Sequence, residues 1–439
     1  MTKLKKNFGI IGGGIAGCAA AYELHKKGYQ VEILEQAAQI GGRTISFNQD
    51  ELFFNTGAAF ITNFYDRTFQ YISELGLKDQ LIQGKNAEVY MVEKEKTVPF
   101  DVADISTFIK FPYITTSDKF SMVFKNLGLM LSRRKYDWVN PAHLSADDSE
   151  SVAQFGRRVF NERIYQYLIR QSIEPYWYFS AEEVSSAMVI ALQINAMNAK
   201  FFTFAQGMDT ISRKISSIIP TQLNTKVESV SMNNEKVLVQ TNNGAKKYDG
   251  IVIATPATIA SKLVQDIPSV TDFQKDFLAS QKYLKHIVIG YNISSKNIEA
   301  LSGEFHPIGD WDYGAVAVLV KGYPSKHPHK EVVVVYLTKA LSEAIIHKSD
   351  EEIAKIGWTE GLKLCSDLPA EFLAAQVTRR ELGMPIPEVG RFKAAAKFID
   401  QQSGSVSFAG DYLTIPCIEG CIYSAQEAAK AITESSSLV

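Results

Sequence analysis

The feature that most constrains this fold is a glycine-rich turn near the start of the chain, within FGIIGGGIAGCAAAYEL at residues 8–24. The apolar run before the turn predicts a buried parallel strand, and the alanine-rich run after it predicts a helix. Gly12, Gly14 and Gly17 have the spacing GxGxxG. In that spacing the first glycine permits a tight turn, the second lets a pyrophosphate approach the backbone, and the third lets the helix pack on the strand. The turn therefore predicts a dinucleotide site.

The residues after this turn strengthen the prediction. Ile15 and Ala16 begin the helix, where free N–H groups and the positive end of the helix dipole face an anion. The next predicted strand, YQVEILE, ends in Glu35, about 20 residues beyond the glycines, where a carboxylate accepts hydrogen bonds from a ribose hydroxyl. An acid at this position disfavours the 2′-phosphate of NADP.

Composition and charge exclude several functions. The 439 residues carry a formal net charge of −2, with Lys and Arg scattered along the chain, so we expect no nucleic-acid partner. The four cysteines stand in a long chain without a secretory segment, which predicts free thiols and a cytoplasmic protein. No stretch reaches the roughly 20 apolar residues of a spanning helix. The basic, apolar segment ending LMLSRRKYDW leaves peripheral membrane contact open, although a helix covering a substrate channel is the favoured interpretation.

Four further motifs follow one another along the chain: QAAQIGGRTISF directly after Glu35, then FFNTGAAF, YDGIVIATPA and finally SFAGDYLTIPCIEGCIYSAQEAAKAI. Together they resemble the motifs of the flavin-dependent amine oxidase superfamily, which includes protoporphyrinogen oxidases and desaturases. The resemblance implies FAD as the cofactor. It also implies an α/β fold, with a Rossmann-like FAD-binding domain of the amine-oxidase type and a discontinuous α+β substrate domain.

The order of the motifs predicts how the chain divides between these domains. Residues 1–85, 205–260 and 390–439 contain the cofactor motifs and are expected to form the FAD-binding domain. Residues 86–204, which read as mostly helical, and 261–389, which read as strand-rich, are expected to form the substrate domain that covers the flavin.

The resemblance also implies roles for single residues. Arg43, in the GGR sequence, would offer its guanidinium to a phosphate or a carboxylate. Backbone N–H groups around Ile418 and Glu419, at a helix N-terminus, would face N1 and O2 of the flavin, where negative charge accumulates on reduction. The other expected cofactor contacts involve small residues, strand ends and one acid: Gly42, Gly57, Ala58, Val227, Ala254, Pro256, Gly410 and Asp411.

The expected reaction is transfer of hydride from an organic substrate to the flavin, with oxygen or a quinone as the electron acceptor. A second strand leading into GxGxxG is missing, which disfavours a reductase fed by NADPH. Amine oxidases of the superfamily enclose the amine between two aromatic residues, but Cys417 occupies one of these positions and RRELGMPIPEVG supplies no aromatic for the other. We therefore expect a bulky apolar or aromatic substrate, as in protoporphyrinogen oxidases and desaturases. An amine or amino-acid oxidase without the cage, a flavin-dependent isomerase and a non-catalytic FAD-bound scaffold remain alternatives.

Two candidate catalytic residues come from the same resemblance. Lys285, in YLKHIVIGY, stands where amine oxidases hold a water near the flavin, although edge-strand lysines are also common for solubility alone. Cys417 is expected to line the flavin, and Cys421, four residues on, is not expected to form a disulfide with it. His327 and His329 lie in a polar loop without further ligands, so no metal is expected. The oligomeric state is not indicated.

Overall fold

The computed structural model describes residues 6–49, 52–83, 88–94, 96–100, 105–132, 136–196, 199–298, 301–309 and 313–435. The strands in these ranges are β1 (Asn7–Ile11), β2 (Gln30–Leu34), β3 (Ser46–Gln49), β4 (Leu52–Asn55), β5 (Ile61–Thr62), β6 (Leu81–Gln83), β7 (Val89–Glu93), β8 (Lys96–Pro99), β9 (Phe201–Phe204), β10 (Thr221–Gln222), β11 (Val227–Asn233), β12 (Lys236–Thr241), β13 (Gly244–Tyr248), β14 (Gly250–Ile253), β15 (Tyr283–Ser294), β16 (Gly303–Pro307), β17 (Ala315–Val320), β18 (Lys330–Leu337), β19 (Ala374–Pro385) and β20 (Val406–Phe408). The α-helices are α1 (Ile15–Lys26), α2 (Asp66–Glu74), α3 (Ile105–Lys110), α4 (Thr116–Ser132), α5 (Pro141–Leu144), α6 (Val152–Val159), α7 (Glu162–Ile164), α8 (Glu174–Trp177), α9 (Ser186–Ala196), α10 (Thr210–Ser216), α11 (Ala257–Leu263), α12 (Asp272–Ala279), α13 (Lys339–Ile345), α14 (Asp350–Leu364), α15 (Arg391–Asp400) and α16 (Ile418–Ser435).

A five-stranded parallel sheet, in the order β10-β2-β1-β14-β20, carries the glycine-rich turn. Phe8 and Ile10 of β1 are completely buried, as expected for a parallel strand covered on both faces. On one face α1 packs against α16, and Ala19, Ala20 and Ala21 of α1 are also fully buried. These small side chains let the two helices approach closely. The sheet confirms the expected α/β fold.

A seven-stranded sheet, in the order β19-β15-β18-β17-β16-β7-β8, forms the second large layer. Its neighbours are antiparallel except β16 and β7, which are parallel. The helices α13 and α14 cover one face. α14 begins with a capping box, in which the Ser349 hydroxyl accepts from the Glu352 N–H and the Glu352 carboxylate accepts from the Ser349 N–H. On the opposite face, β4 packs against part of β15 and β18, and the rest borders a cavity.

The strands of these two sheets come from different parts of the chain. The parallel sheet uses residues within 1–85, 205–260 and 390–439, and the seven-stranded sheet uses residues within 86–204 and 261–389. One small sheet crosses this division, because β9 pairs with both β5 and β6 in the order β5-β9-β6. The division into two domains remains a prediction, and β9 is the strand that joins its parts.

The solvent-facing sides of α3 and α4 are apolar. Seven of the thirteen exposed large apolar side chains in the described ranges lie on these two helices, so the surface is a patch rather than a scatter: Ile105, Ile109, Phe120, Val123, Phe124, Leu127 and Leu131. We call this set the α3/α4 apolar surface. In the part of the chain that the structure describes, none of the helices combines the length and apolar character needed to span a bilayer.

Candidate active site

A cavity of about 350 Å³ lies between the carboxyl ends of the parallel strands and the open face of the seven-stranded sheet. Open parallel sheets bind ligands at this edge, outside the ends of their strands. The glycine-rich turn, the residues that follow β14 and β20, and the start of α16 form one side of the cavity. Side chains from β15, β16, β17, β18 and β19 form the other side. The two sides are called here the cofactor side and the substrate side.

The glycine-rich turn on the cofactor side needs glycine at each of its three motif positions for a different reason. Gly12 has a φ of 106°, which side chains other than glycine rarely adopt. A Cβ on Gly17 would lie 1.9 Å from the carbonyl oxygen of Gly12, so a side chain would separate α1 from β1. A Cβ on Gly14 would meet no atom within 4 Å, because Gly14 borders the cavity together with Ile15 and Ala16. The start of α1 therefore faces open space.

Glu35 holds the turn from the end of β2. Its buried carboxylate accepts hydrogen bonds from the Gly13 N–H at 2.6 Å and the Ala37 N–H at 2.7 Å. The Glu35 carbonyl accepts from the Thr225 N–H at 2.8 Å, which brings the start of β11, at Val227, towards the same edge. Val227 is not among the residues that line the cavity.

Arg43 forms an ion pair with the carboxylate of Asp411. Its guanidinium donates to both Asp411 oxygens, at 2.7 and 2.8 Å, and to the Gly383 carbonyl at 3.2 Å. Burial alone would lower the pKa of Arg43, but the Asp411 carboxylate outweighs it and raises that pKa. A Cβ on Gly57 would lie 2.0 Å from the Arg43 carbonyl, which instead accepts from the Ala58 N–H. The pair thus joins three of the expected cofactor motifs.

The remaining glycines and strand ends of the cofactor side lie close to this pair. The Gly41 N–H donates to the Gly13 carbonyl at 2.9 Å, so the GGR sequence folds against the glycine-rich turn. Gly42 follows with a φ of 57°, and a Cβ there would lie 3.2 Å from the Gly14 Cα. Ala254 and Gly410 line the cavity, and Pro256 precedes α11 as its N-cap residue.

The start of α16 reaches the cavity through Cys417 and Ile418. The Cys417 sulfur accepts from the Gly420 N–H at 3.3 Å, and burial raises the pKa of this thiol to about 12. Cys417 is therefore a neutral thiol at physiological pH, and it forms no disulfide with Cys421. The fully buried Glu419 side chain points elsewhere, accepting from both the backbone N–H (2.9 Å) and the hydroxyl (2.7 Å) of Thr68 at the start of α2. The Glu419 side chain connects helices, while its backbone stays at the start of α16.

Aromatic rings wall the substrate side, and sequence reasoning did not find them. Tyr178 stacks on His286 with ring centroids 4.0 Å apart, and on Tyr336 with centroids 5.9 Å apart. Tyr178 has a φ of 61°, a strained conformation for a bulky residue that persists only where its surroundings hold it. Other aromatic side chains that line the cavity are Phe60, Tyr65, Tyr176, Trp177, Phe201, Phe202 and Tyr323. Most of these residues are scattered along the sequence. Only the cluster EPYWYF, at residues 174–179, brings several aromatic residues together.

Lys285 does not reach this cavity. Its ammonium pairs with the Glu381 carboxylate at 3.0 Å, and both side chains are well exposed. Successive side chains of a strand point to opposite faces, so Lys285 faces outward while the buried Leu284 and His286 face inward, and His286 lines the cavity. The expectation that Lys285 acts beside the flavin is therefore corrected: His286 is the residue of this strand that the structure places in the cavity.

Comparison with known proteins decides the family. The family model described as flavin containing amine oxidoreductase matches residues 15–433. The chain belongs to this family. A relative similar over nearly its whole length is the coproporphyrinogen III oxidase of Bacillus subtilis (strain 168), 23% identical over 96% of this chain and 95% of that protein. The mitochondrial protoporphyrinogen oxidase of Nicotiana tabacum is 27% identical, over 37% of this chain and 31% of that protein.

Solved structures of flavin amine oxidoreductases share the fold. A putative protoporphyrinogen oxidase from Exiguobacterium sp. 255-15 superimposes with a TM-score of 0.77, at 15% identity, covering 98% of this chain and 99% of that one. Cyclohexylamine oxidase from Brevibacterium oxydans IH-35A gives a TM-score of 0.74 at 18% identity, covering 99% and 100%. At these identities the likeness concerns the fold alone.

This flavin amine oxidoreductase is therefore an FAD-dependent oxidoreductase, and its cofactor side suits FAD. The open space above Gly14 admits a pyrophosphate against the start of α1, and Glu35 lies at the strand end where a ribose is expected. Among the described residues, no group of three His, Cys, Asp or Glu side chains could hold a metal ion.

Proposed function

We propose that this protein oxidises porphyrinogens, the class of substrate named in its coproporphyrinogen III oxidase and protoporphyrinogen oxidase relatives. The observation that carries the proposal is the substrate side, whose mainly apolar and aromatic lining suits the four pyrrole rings of a porphyrinogen. The relative aligned along nearly the whole chain supports it. His286, Tyr178 and Tyr336 stack on one another, so these rings enclose no gap for an ammonium ion. That arrangement disfavours an amine substrate.

We further propose which residues hold the cofactor. Gly12, Gly14, Ile15, Ala16 and Gly17 would hold the pyrophosphate, and Glu35 the ribose. The remaining contacts would come from the loops at the strand ends and the start of α16: Gly42, Arg43, Gly57, Ala58, Val227, Ala254, Pro256, Gly410, Asp411, Ile418 and the backbone of Glu419. The bound FAD supplies the hydride acceptor.

The chain's own residues then orient the substrate and exclude water. Burial raises the pKa of Tyr178 and of Tyr336, so both hydroxyls stay neutral and present rings rather than charges to the substrate. The N-terminal end of α16 would place positive partial charge near the part of the cofactor that gains electrons. The part-buried Arg43–Asp411 pair would hold together the two loops that contact the cofactor.

Molecular oxygen is our proposed electron acceptor, with a quinone as the alternative. Anaerobic addition of coproporphyrinogen III to the purified holoenzyme is expected to bleach the flavin absorbance, and air is expected to restore it with release of hydrogen peroxide. Porphyrin fluorescence reports the product. Bleaching that persists in air but reverses with a soluble quinone would assign the acceptor as a quinone. Bleaching by cyclohexylamine or putrescine, but not by porphyrinogens, would overturn the proposed substrate.

We also propose that the α3/α4 apolar surface rests on a lipid bilayer. Phe120, Val123, Phe124 and Leu127 lie three or four residues apart on one side of α4, as in helices that lie in a membrane interface. The exposed lysines 110 and 125 flank these residues and suit anionic headgroups. Residues 133–135, the basic part of LMLSRRKYDW, lie outside the described residues.

Vesicle sedimentation tests this contact. The holoenzyme is expected to sediment with vesicles of phosphatidylcholine and phosphatidylglycerol, and more strongly as the anionic fraction rises. The double variant Phe124→Ser with Leu127→Ser should stay in the supernatant. Leu373→Ser, which changes a comparably exposed leucine elsewhere, is the matched control and should sediment like the wild type. A concentration-dependent dimer that the double variant abolishes, without vesicle binding, would assign the surface to a second copy instead.

A further inference from the structure

The substrate side holds two nitrogen-bearing side chains whose hydrogen-bonding capacity is only partly used. His286 of β15 and Arg380 of β19 are direct register partners in an antiparallel pair, and both line the cavity. Directly opposed residues lie on the same face of a sheet, with Cβ atoms about 5 Å apart. The structure thus places an imidazole and a guanidinium side by side, facing the same space.

Arg380 has no carboxylate partner among the described residues. Its guanidinium donates to the Thr56 hydroxyl at 2.9 Å and to the Thr56 carbonyl at 3.3 Å, both neutral acceptors. Burial, together with the positive charge of the nearby Arg43, lowers the pKa of Arg380 to about 10. Arg43 is itself neutralised by Asp411. A cation that stays protonated at neutral pH therefore lies in the cavity with no carboxylate bonded to it, and the carboxylate of Glu304, which also lines the cavity, lies 2.9 Å from His306 instead.

His286 supplies the second, independent observation. Only 5% of its surface is exposed, and its Nε2 atom has no hydrogen-bond partner in the described part of the chain. A buried polar atom without a partner is rare and calls for an explanation. Its ring plane is held by stacking on Tyr178, which is itself held in a strained backbone conformation. The imidazole is thus held in a fixed orientation while its Nε2 atom lacks a hydrogen-bond partner.

We propose that His286 and Arg380 form the binding site for a carboxylate group of the substrate. A carboxylate would accept two N–H bonds from the guanidinium and one from Nε2 of a neutral imidazole, which would fill the unused capacity of both residues. The inference deepens the proposed function, on which it rests: it predicts a substrate with an aromatic or apolar body and a carboxylate arm, as in the propionate groups of porphyrinogens.

A ligand pair that does not depend on porphyrinogen turnover tests the site. Phenylpropionate and phenylpropanamide have the same shape, and only the first is an anion. Titrated into the holoenzyme and followed through the flavin absorbance and tryptophan fluorescence, the acid should bind at least tenfold more tightly than the amide. Equal affinities in the wild type would overturn the proposal without any variant.

Variants then assign the preference to particular residues. In Arg380→Gln the acid-to-amide ratio should fall to about one, and in His286→Gln it should fall several-fold, each because a donor to the carboxylate is lost. Lys285→Gln removes a charge one position from His286 on the outer face, and the ratio should not change. A ratio that persists in Arg380→Gln would overturn the site. FAD content and melting temperature are measured for each variant, so a misfolded variant is recognised and the wild-type comparison decides.

Kinetics with coproporphyrinogen III separate this inference from the proposed function. If the wild type oxidises it, Arg380→Gln should raise KM at least tenfold while kcat changes less than threefold, because the carboxylate lies away from the reacting bond. If the wild type does not oxidise porphyrinogens but still prefers phenylpropionate to its amide through Arg380, the proposed function fails and the carboxylate site stands.

Discussion

The two sides of the cavity satisfy their polar groups in opposite ways. On the cofactor side Arg43 pairs with Asp411, and the Glu35 carboxylate accepts hydrogen bonds from the backbone N–H groups of residues 13 and 37. On the substrate side Arg380 has only the neutral Thr56 as partner, and His286 Nε2 has none in the described ranges. The charged side chains of the cofactor side are thus held in place by the chain itself, and their remaining acceptor capacity is left for the cofactor. On the substrate side we propose that the substrate supplies the missing partner, as suits a molecule that must bind and leave.

The largest expected effect breaks the cofactor side. Gly17→Ala places a Cβ 1.9 Å from the Gly12 carbonyl, so α1 must move off β1. We expect the variant to lose bound FAD and at least about 4 kcal/mol of unfolding free energy. FAD absorbance per protein and urea unfolding measure both. Gly14→Ala is the control: it adds the same methyl group into open space, and it should fold while binding FAD more weakly. A yellow Gly17→Ala protein with wild-type stability would contradict the geometry.

The next effect compares the two part-buried arginines that line the cavity. Asp411→Asn leaves Arg43 without its charge partner, and we expect it to lower the unfolding free energy by about 3 kcal/mol. Arg380→Gln removes a cation that burial already disfavours, so it should lower stability by less than about 1 kcal/mol or raise it. Urea unfolding of both variants, at equal FAD occupancy, checks the contrast. Equal losses of unfolding free energy in the two variants would mean that Arg380, like Arg43, has a stabilising charge partner.

A third prediction uses pH. Burial, followed by the charge of Arg380, lowers the pKa of His286 from 6.5 to about 3. Between these pH values the unfolded chain binds a proton at His286 that the folded chain does not bind. His286 therefore lowers the free energy of unfolding as the pH falls below about 6.5, and it has no such effect above that pH. Relative to His286→Gln, the wild type should lose up to about 1.4 kcal/mol per pH unit between pH 6 and 4. Parallel stability curves for the two proteins would show that His286 is not buried as described.

The smallest effect sharpens the contrast between the two faces of one strand. Lys285→Gln removes an exposed ion pair with Glu381, worth less than about 1 kcal/mol. Neither FAD content nor turnover should change. A loss of turnover without a loss of FAD would restore the sequence-based expectation for Lys285.

The cofactor side was predictable because short motifs act there through the backbone. A tight turn, a close helix contact and an acid at a strand end each depend on neighbours in sequence, as Gly12, Gly17 and Glu35 show. Even so, the acceptor of Arg43 stayed open between a phosphate and a carboxylate, because Asp411 lies at the other end of the chain.

The substrate side depends on pairings between distant strands, which no motif encodes. His286 stacks on Tyr178 and lies opposite Arg380 in the strand pairing. Both partners are distant in sequence, so no local sequence pattern indicates either contact. Neighbouring residues of a strand face opposite sides, and the sequence of β15 does not say which alternate set faces the cavity. The resemblance therefore pointed to Lys285 when the inward-facing residue is His286.

The position of β20 and α16 has a consequence for how the protein is made. β20 completes the parallel sheet beside β14, and α16 packs against α1 from the start of the chain. During synthesis the glycine-rich turn therefore lacks its α16 neighbour until residues 406–435 have left the ribosome. If FAD binds as proposed, stable binding would require both segments, and the cofactor would then hold the glycine-rich turn and the start of α16 together.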